Sequence, residues 1–206
     1  MEQLVRIEGI AAPLMRENID TDQITPGKEL VRCRTEGYAA SLFAYWRYVD
    51  DRVLNPEFLL NREPWRRAVI LLAGRNFGCG SSREAAPKAL RAFGLRVVIA
   101  PSFGGIFQGN AVRNGLLPVE LPQAVVEELA RQVESEPAIA TIAVDLQDQQ
   151  VVAPNGAAYR FTVPELYRQM LLQGLDEIAL TLQRSEAIER FRDRDRRRRP
   201  WAYRVN

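Results

Sequence analysis

The sequence predicts an α/β domain in which a mixed sheet is flanked by helices. Three observations favour this fold class. Short apolar runs alternate with helical patterns between residues 68 and 121, the hydrophobic period changes to two from Ile139 onward, and no low-complexity linker interrupts the chain. Strand–helix alternation is typical of parallel βαβ packing, whereas a period of two indicates antiparallel hairpins. We therefore expect one domain over all 206 residues.

The first third of the chain carries weaker signals. Residues 4–12 read as a strand, and a polar, turn-rich segment follows over residues 16–27. Residues 37–48 are rich in aromatic side chains and are predicted to be buried, in helical or irregular structure. Asn55 suits a helix cap and Pro56 suits the first helical position, so a short helix is predicted to begin there.

The centre of the chain is clearer. Residues 68–73 form a continuous apolar run of the kind found in strands buried on both faces, and residues 96–100 and 116–121 give two further strands. Between them, one helix is predicted to end at Gly94 and another to run from Pro101 to Asn114. Three strands joined by helices predict parallel βαβ packing.

The last third is predicted to begin with an amphipathic helix over residues 123–134, where apolar residues recur at helical spacing. Three strands are predicted to follow, over residues 139–144, 150–153 and 159–163, the last two joined by an Asn155-Gly156 turn. Two helices are predicted to complete the chain, over residues 164–172 and from about Ser185.

Charge is concentrated at the C-terminal end. Residues 190–206 carry eight Arg and two Asp, a net charge of +6, whereas the whole chain carries +2. This tail is predicted to be the solvated end of a helix. Because a nucleic-acid-binding domain carries its basic residues on the folded body, nucleic acid is not expected as a partner. An RNA-contacting role for the tail remains an alternative.

Residue counts exclude several kinds of chemistry. The chain has no histidine, which removes histidine general bases, histidine metal ligands and Ser-His-Asp machinery. Its two cysteines, Cys33 and Cys79, are too few for a four-thiolate zinc or iron–sulfur site. The longest apolar run, residues 68–73, is far shorter than the ~20 residues of a membrane-spanning helix. Without a secretory pattern at the N-terminus, a cytoplasmic location is predicted.

A glycine-rich loop over residues 74–84 is the strongest candidate for function. Gly78 and Gly80 allow tight turns and the close approach of a ligand, free N–H groups before the next helix attract anions, and Arg83 offers a planar fork to a carboxylate. The sequence lacks the Gly-Lys-Ser/Thr of a phosphate-binding P-loop. Ser81 and Glu84 also fit a helix capping box, and the pattern alone does not separate the two interpretations. Cys79 is interpreted as a small packed residue.

Several motifs together resemble one family. They are Asn-Phe-Gly-Cys-Gly-Ser-Ser-Arg-Glu at 76–84, Val-Val-Ile-Ala-Pro-Ser-Phe at 97–103, Asn-Gly-Leu-Leu-Pro-Val at 114–119, Asn-Ile-Asp-Thr-Asp-Gln-Ile at 18–24 and the segment 174–182. The chain is similar over nearly its whole length to the small subunits of bacterial 3-isopropylmalate dehydratases, which are swivel domains of the aconitase superfamily.

The resemblance implies a three-layer β/β/α swivelling domain that pairs with a large subunit that holds a [4Fe–4S] cluster. This chain itself would bind no cofactor and no metal. The reaction would interconvert 2-isopropylmalate and 3-isopropylmalate by dehydration and rehydration, in leucine biosynthesis. The substrate would be a small di- or tricarboxylate, and no membrane would be involved.

The same resemblance assigns site residues. Ser81 would be the catalytic base, and Arg83 and Arg34 would bind substrate carboxylate, with Gly80 and Ser82 also in the substrate-binding loop. One position departs from the family pattern, because Ala85 stands where a histidine is usual. A paralogue acting on another alkylmalate or tricarboxylate, of the citraconate/methylmalate or homoaconitate type, and a non-catalytic binding module therefore remain alternatives.

Overall fold

The computed structural model describes residues 1–203, apart from the side chains of Arg34 and Glu36. The chain divides into two compact units, Met1–Gly174 and a second unit that begins at Leu175. None of the described helices is long and apolar enough to cross a membrane. The organisation of residues 1–206 as one domain stays a prediction.

The first unit is built on a mixed sheet and contains every described strand. The strands are β1 (Arg6–Leu14), β2 (Tyr48–Asp50), β3 (Val53–Leu54), β4 (Ile70–Ala73), β5 (Val97–Ala100), β6 (Leu117–Glu120), β7 (Thr141–Asp145), β8 (Gln150–Val152) and β9 (Ala158–Arg160). Seven of them form one sheet in the order β6-β5-β4-β1-β7-β8-β9, and β2 pairs with β3 in a separate ribbon.

Strand β1 joins the parallel and antiparallel halves of the large sheet. Its residues 11–14 pair in parallel with β4, and its residues 6–10 pair antiparallel with β7. A Cβ atom on Gly9 would lie 2.7 Å from Val69 Cγ2, so this crossing point requires a glycine. The parallel β4–β5–β6 packing and the late antiparallel strands confirm the predicted mixed sheet.

Short helical segments surround the sheet. The described α-helices are α1 (Thr21–Ile24), α2 (Cys33–Glu36), α3 (Ala44–Arg47), α4 (Ala85–Phe93), α5 (Gly105–Arg113), α6 (Gln123–Ser135), α7 (Glu165–Gln173), α8 (Glu177–Leu182) and α9 (Ser185–Arg198). Helix α4 ends as predicted, because Gly94 adopts a left-handed backbone with φ of +118°. The predicted helices near 123–134, 164–172 and 185 are confirmed as α6, α7 and α9.

Two helix starts were predicted wrongly. The Asn55 side chain accepts a hydrogen bond from the Glu57 amide at 3.0 Å, which closes a local turn, and only a 3-10 turn follows at Leu59–Asn61. Helix α5 begins at Gly105 rather than near Pro101. The intervening residues have another role, described with the site below.

The aromatic segment at 37–48 is only partly buried. Phe43 is fully buried and stacks on Trp46 with ring centroids 5.3 Å apart, which confirms the predicted packing. Tyr45, by contrast, keeps 55% of its surface exposed. The local structure is a 3-10 turn at Tyr38–Ser41 followed by α3.

The second unit is helical, and the last turn of its final helix is basic. Helix α8, which the sequence reading missed, is capped by Asp176, whose side chain accepts from the Ala179 amide at 2.7 Å. In α9, Asp195 accepts hydrogen bonds from Arg199 Nη2 and the Tyr203 hydroxyl, each at 2.7 Å. These two bonds fasten the closing 3-10 turn, Pro200–Tyr203, back onto α9.

Candidate active site

The loop over residues 74–84 leaves the carboxyl end of β4, the edge of a parallel sheet at which α/β proteins commonly bind ligands. Its backbone is held against the segment before α1. The Gly78 amide donates to the Ile19 carbonyl at 2.7 Å, and the Thr21 amide donates to the Cys79 carbonyl at 3.0 Å. Two sequence segments that are far apart therefore form one fixed surface.

The base of this loop rests on an aromatic cluster. The Phe77 amide donates to the Ser102 carbonyl at 3.0 Å, and the Gly104 amide donates to the Phe77 carbonyl at 2.9 Å. Because the Ser102 carbonyl accepts from Phe77, it is not available to a helical amide, and α5 begins at Gly105 with Gly104 as its N-cap residue. The Phe77 ring is fully buried and meets the Phe107 ring edge-on, with centroids 5.3 Å apart.

Gly78 is required for this packing on two grounds. Its φ is +72°, a left-handed conformation that favours glycine, and a Cβ atom there would lie 2.2 Å from Phe107 Cγ. We expect Gly78→Ala to lower the free energy of unfolding by about 2–4 kcal/mol, the sum of backbone strain and overpacking. Urea titration of the purified chain measures this loss.

Gly156→Ala is the matched control for this prediction. Gly156 has a φ of +85°, but no atom of the described residues lies within 4 Å of an added Cβ, so only the backbone cost of about 1 kcal/mol applies. Equal losses for the two variants would contradict the proposed contact with Phe107.

The backbone amides on either side of Ser81 are available as hydrogen-bond donors. Ser81 and Ser82 are exposed, and the Ser81 carbonyl accepts from Thr21 Oγ1 at 2.8 Å. Within the described residues, the backbone amides of residues 80–84 donate to no acceptor, and Ser81 Oγ has no hydrogen-bond partner. The predicted availability of these amides is confirmed. Such a run of free N–H groups before a helix favours a negatively charged ligand.

The capping-box interpretation of Ser81 and Glu84 is wrong. Helix α4 begins at Ala85, its N-cap residue is Glu84, and no side chain among the described residues caps it. Pro87 lies in the first turn of the helix, where a missing amide hydrogen costs little. Ser81 thus lies outside the helix and is available for another role.

Arg83 is held by Asp22, a residue that the sequence reading did not single out. Arg83 Nη2 donates to Asp22 Oδ2 at 2.8 Å, and Nη1 lies 2.6 Å from Oδ1 in an ion pair. Nη1 nevertheless makes no hydrogen bond of good geometry within the described residues. The Gly27 amide donates to Asp22 Oδ1 at 3.2 Å and fixes the carboxylate in turn. The only feature of the sequence that pointed to Asp22 was the Thr-Asp-Gln-Ile segment at 21–24, which belongs to one of the family motifs.

The structure says less about the roles of Arg34 and Ala85. Arg34 belongs to α2, but its side chain lies outside the described residues, so its role stays a prediction. Ala85 is the first residue of α4, and its carbonyl accepts from Thr25 Oγ1 at 3.5 Å. A methyl group at this position places no polar side chain beside the loop.

The cysteines do not offer a metal site. Burial, and secondarily the charge of Asp20, raise the pKa of the Cys79 thiol, which keeps it protonated at neutral pH. Cys33 is buried. Within the described residues, no group of three or more His, Cys, Asp or Glu side chains could hold a metal ion. The residues of this chain therefore do not fit an iron–sulfur cluster, which needs several thiolates.

Family models match nearly the whole chain. Residues 1–124 match the aconitase C-terminal domain, and residues 127–165 match the LeuD model. Residues 177–205 match the C-terminal domain of the 3-isopropylmalate dehydratase small subunit.

Curated proteins and a solved structure agree with these matches. The 3-isopropylmalate dehydratase small subunit of Cupriavidus necator is 52% identical over 205 residues, covering 98% of this chain and 99% of that protein. The small subunit of Shewanella amazonensis is 49% identical over 196 residues, covering 94% and 97%. The 3-isopropylmalate dehydratase (leuD) structure from Methanocaldococcus jannaschii has a TM-score of 0.63 and 28% identity, covering 90% of this chain and 99% of that one. The aconitase-type fold expected from the sequence is confirmed.

Proposed function

The chain belongs to the family of 3-isopropylmalate dehydratase small subunits, and we propose that the loop over residues 74–84 is its contribution to the shared active site. The enzyme interconverts 2-isopropylmalate and 3-isopropylmalate by dehydration and rehydration, in leucine biosynthesis. The observation that carries the assignment is the position of Ser81, an exposed hydroxyl among free backbone amides and close in sequence to the fixed guanidinium of Arg83.

The deprotonated Ser81 Oγ, an alkoxide, is proposed to accept the proton that the substrate loses from the carbon next to a carboxylate, and the hydroxyl formed returns that proton on rehydration. A serine hydroxyl is a weak base unless its oxyanion is stabilised. The unpaired amides of residues 80–84 offer that stabilisation, and no histidine exists in the chain to act instead. The amides stabilise the alkoxide most strongly where water is excluded, which closure of a partner over the exposed loop would achieve.

Substrate binding is proposed for the other residues of the site. Arg83 would hold a carboxylate through its remaining N–H groups while Asp22 fixes the guanidinium plane. Gly80 and Ser82 would bind substrate through their backbone amides and not through side chains. Arg34 is proposed as a second carboxylate-binding group.

The remaining machinery is proposed to come from the large subunit. Two cysteines and no histidine cannot supply a [4Fe–4S] cluster, so we assign the cluster to the partner and derive no step through it. We also propose that the complex acts in the cytoplasm on a small dicarboxylate.

Purified small subunit is expected to contain no iron and to have no dehydratase activity alone. Mixing with a reduced, cluster-loaded large subunit is expected to produce activity with 2-isopropylmalate. Iron analysis and an assay of the unsaturated intermediate by its ultraviolet absorbance check both statements. Stoichiometric iron in the isolated, untagged chain would contradict the assignment of the cluster, and faster turnover of another alkylmalate or a tricarboxylate would indicate a paralogous substrate.

A further inference from the structure

Residues 30–54 expose an unusual number of large apolar side chains. Each of them has between 39% and 76% of its surface exposed. They are Leu30, Val31, Tyr45, Val49, Val53 and Leu54. We call these six residues the apolar rim. Single exposed apolar residues are ordinary on a protein surface, whereas several in neighbouring segments favour an interaction surface, and Tyr45 and Val49 of the rim line one pocket.

Half of the apolar rim lies on the β2–β3 ribbon, which pairs with no other strand of the described chain. A two-stranded ribbon alone is marginally stable in water. Here it is held from one side by a buried ion pair, because Arg52 Nη2 lies 2.8 Å from Glu29 Oε2 and Glu29 is only 5% exposed. Arg32 Nη1 also lies 2.6 Å from Asp51 Oδ1. These two ion pairs fix the backbone of the ribbon that carries the apolar side chains.

The turn that holds the ribbon also contacts the proposed active site. Glu29 belongs to the 3-10 turn Gly27–Leu30, whose first residue donates its amide to Asp22, the partner of Arg83. A Cβ atom on Gly27 would lie 3.1 Å from Arg83 Nη1, so this turn packs directly against the guanidinium. One end of a four-residue turn therefore touches the proposed substrate-binding arginine, and the other end is tied to the exposed ribbon.

We propose that the apolar rim is the surface on which the cluster-carrying large subunit docks. This inference rests on the proposed function, which requires a partner to cover Ser81 and Arg83 and to supply the missing catalytic groups. A partner that closes over the site meets the adjoining rim, whose burial stabilises the complex and excludes water from the loop. A second copy of this chain brings no histidine and no cluster ligand set, so it cannot complete the site.

The test measures docking and turnover separately. We expect the double variant Val49→Asp/Val53→Asp to raise the Kd for the cluster-loaded large subunit at least tenfold, measured by sedimentation velocity, because it places two charges in an apolar contact. At saturating large subunit, kcat is expected to stay within twofold of the wild-type value. Val31→Asp, which changes a rim residue outside the ribbon, is expected to raise the Kd as well. Ile139→Asp is the control, because Ile139 is 72% exposed but lies outside the rim.

Each other outcome has a definite meaning. An unchanged Kd in both rim variants, or a Kd raised equally by Ile139→Asp, would overturn the inference. Conversion of a small-subunit dimer into monomers by the rim variants, with binding to the large subunit unchanged, would also overturn it and assign the rim to self-association. If the wild-type chain neither binds nor activates the large subunit, the proposed function itself fails, which distinguishes the two failures.

Discussion

Ser81→Ala in the reconstituted complex is expected to lower kcat by at least about a hundredfold and to leave KM nearly unchanged. A general base contributes roughly 10²–10⁴-fold to a rate, and removing it does not disturb the groups that hold the ground state. Ser81 Oγ makes no hydrogen bond within the described residues, so its loss should not disturb the fold of the loop. Steady-state kinetics at saturating large subunit measures the effect.

Ser82→Ala is the internal control, since Ser82 is the next residue and is equally exposed. Its proposed contribution is a backbone amide, which alanine keeps, and it does not cap α4, whose N-cap residue is Glu84. We therefore expect kcat within a few-fold of wild type and an unchanged melting temperature. Near-normal turnover by the Ser81 variant with a large loss in the Ser82 variant would reverse the assignment. Full activity in both would place the base on the other subunit.

The position of this serine could be predicted because its surroundings have strong local signals. The apolar runs that become β4 and β5 bracket the loop, and Gly94 ends the helix that follows it. Gly78 and Gly80 predicted tight turns, and in the structure both adopt a left-handed backbone, with φ of +72° and +86°. Strand–loop–helix order therefore needed only patterns within about ten residues of each other.

Features that depend on distant contacts could not be predicted in the same way. Asp22 and Arg83 are 61 residues apart, and nothing local indicates that their side chains pair. The delayed start of α5 has the same origin, because the Ser102 carbonyl accepts from the Phe77 amide rather than from a helical amide. At Asn55, a favourable cap residue is used for a turn instead. At α5 and at Asn55, a hydrogen bond outside a helix overrides the local preference for a helix start.

The pair formed by Arg83 and Asp22 leads to the second large effect. Arg83→Lys keeps the charge but loses the planar fork, so a lysine cannot bond both Asp22 and a substrate carboxylate in fixed geometry. Because hydrogen bonds to charged groups are worth about 1.5–3 kcal/mol, we expect kcat/KM to fall between about tenfold and a hundredfold. The variant is to be assayed in the reconstituted complex, with the Kd for the large subunit measured in parallel.

Arg75→Lys provides a matched control within the same loop. Arg75 also binds a carboxylate through two donors, since its Nε and Nη2 lie 3.1 and 3.0 Å from the two oxygens of Glu17. That pair is exposed and precedes the free amides, so its loss should cost little activity. Equal losses in the two variants would mean that bidentate pairing only supports the loop. Arg83 is the more buried of the two arginines, with 24% of its side chain exposed against 59% for Arg75, so the melting temperature of each variant is measured as well. A loss of kcat/KM confined to the Arg83 variant, with an unchanged melting temperature, would indicate that its guanidinium acts on the substrate.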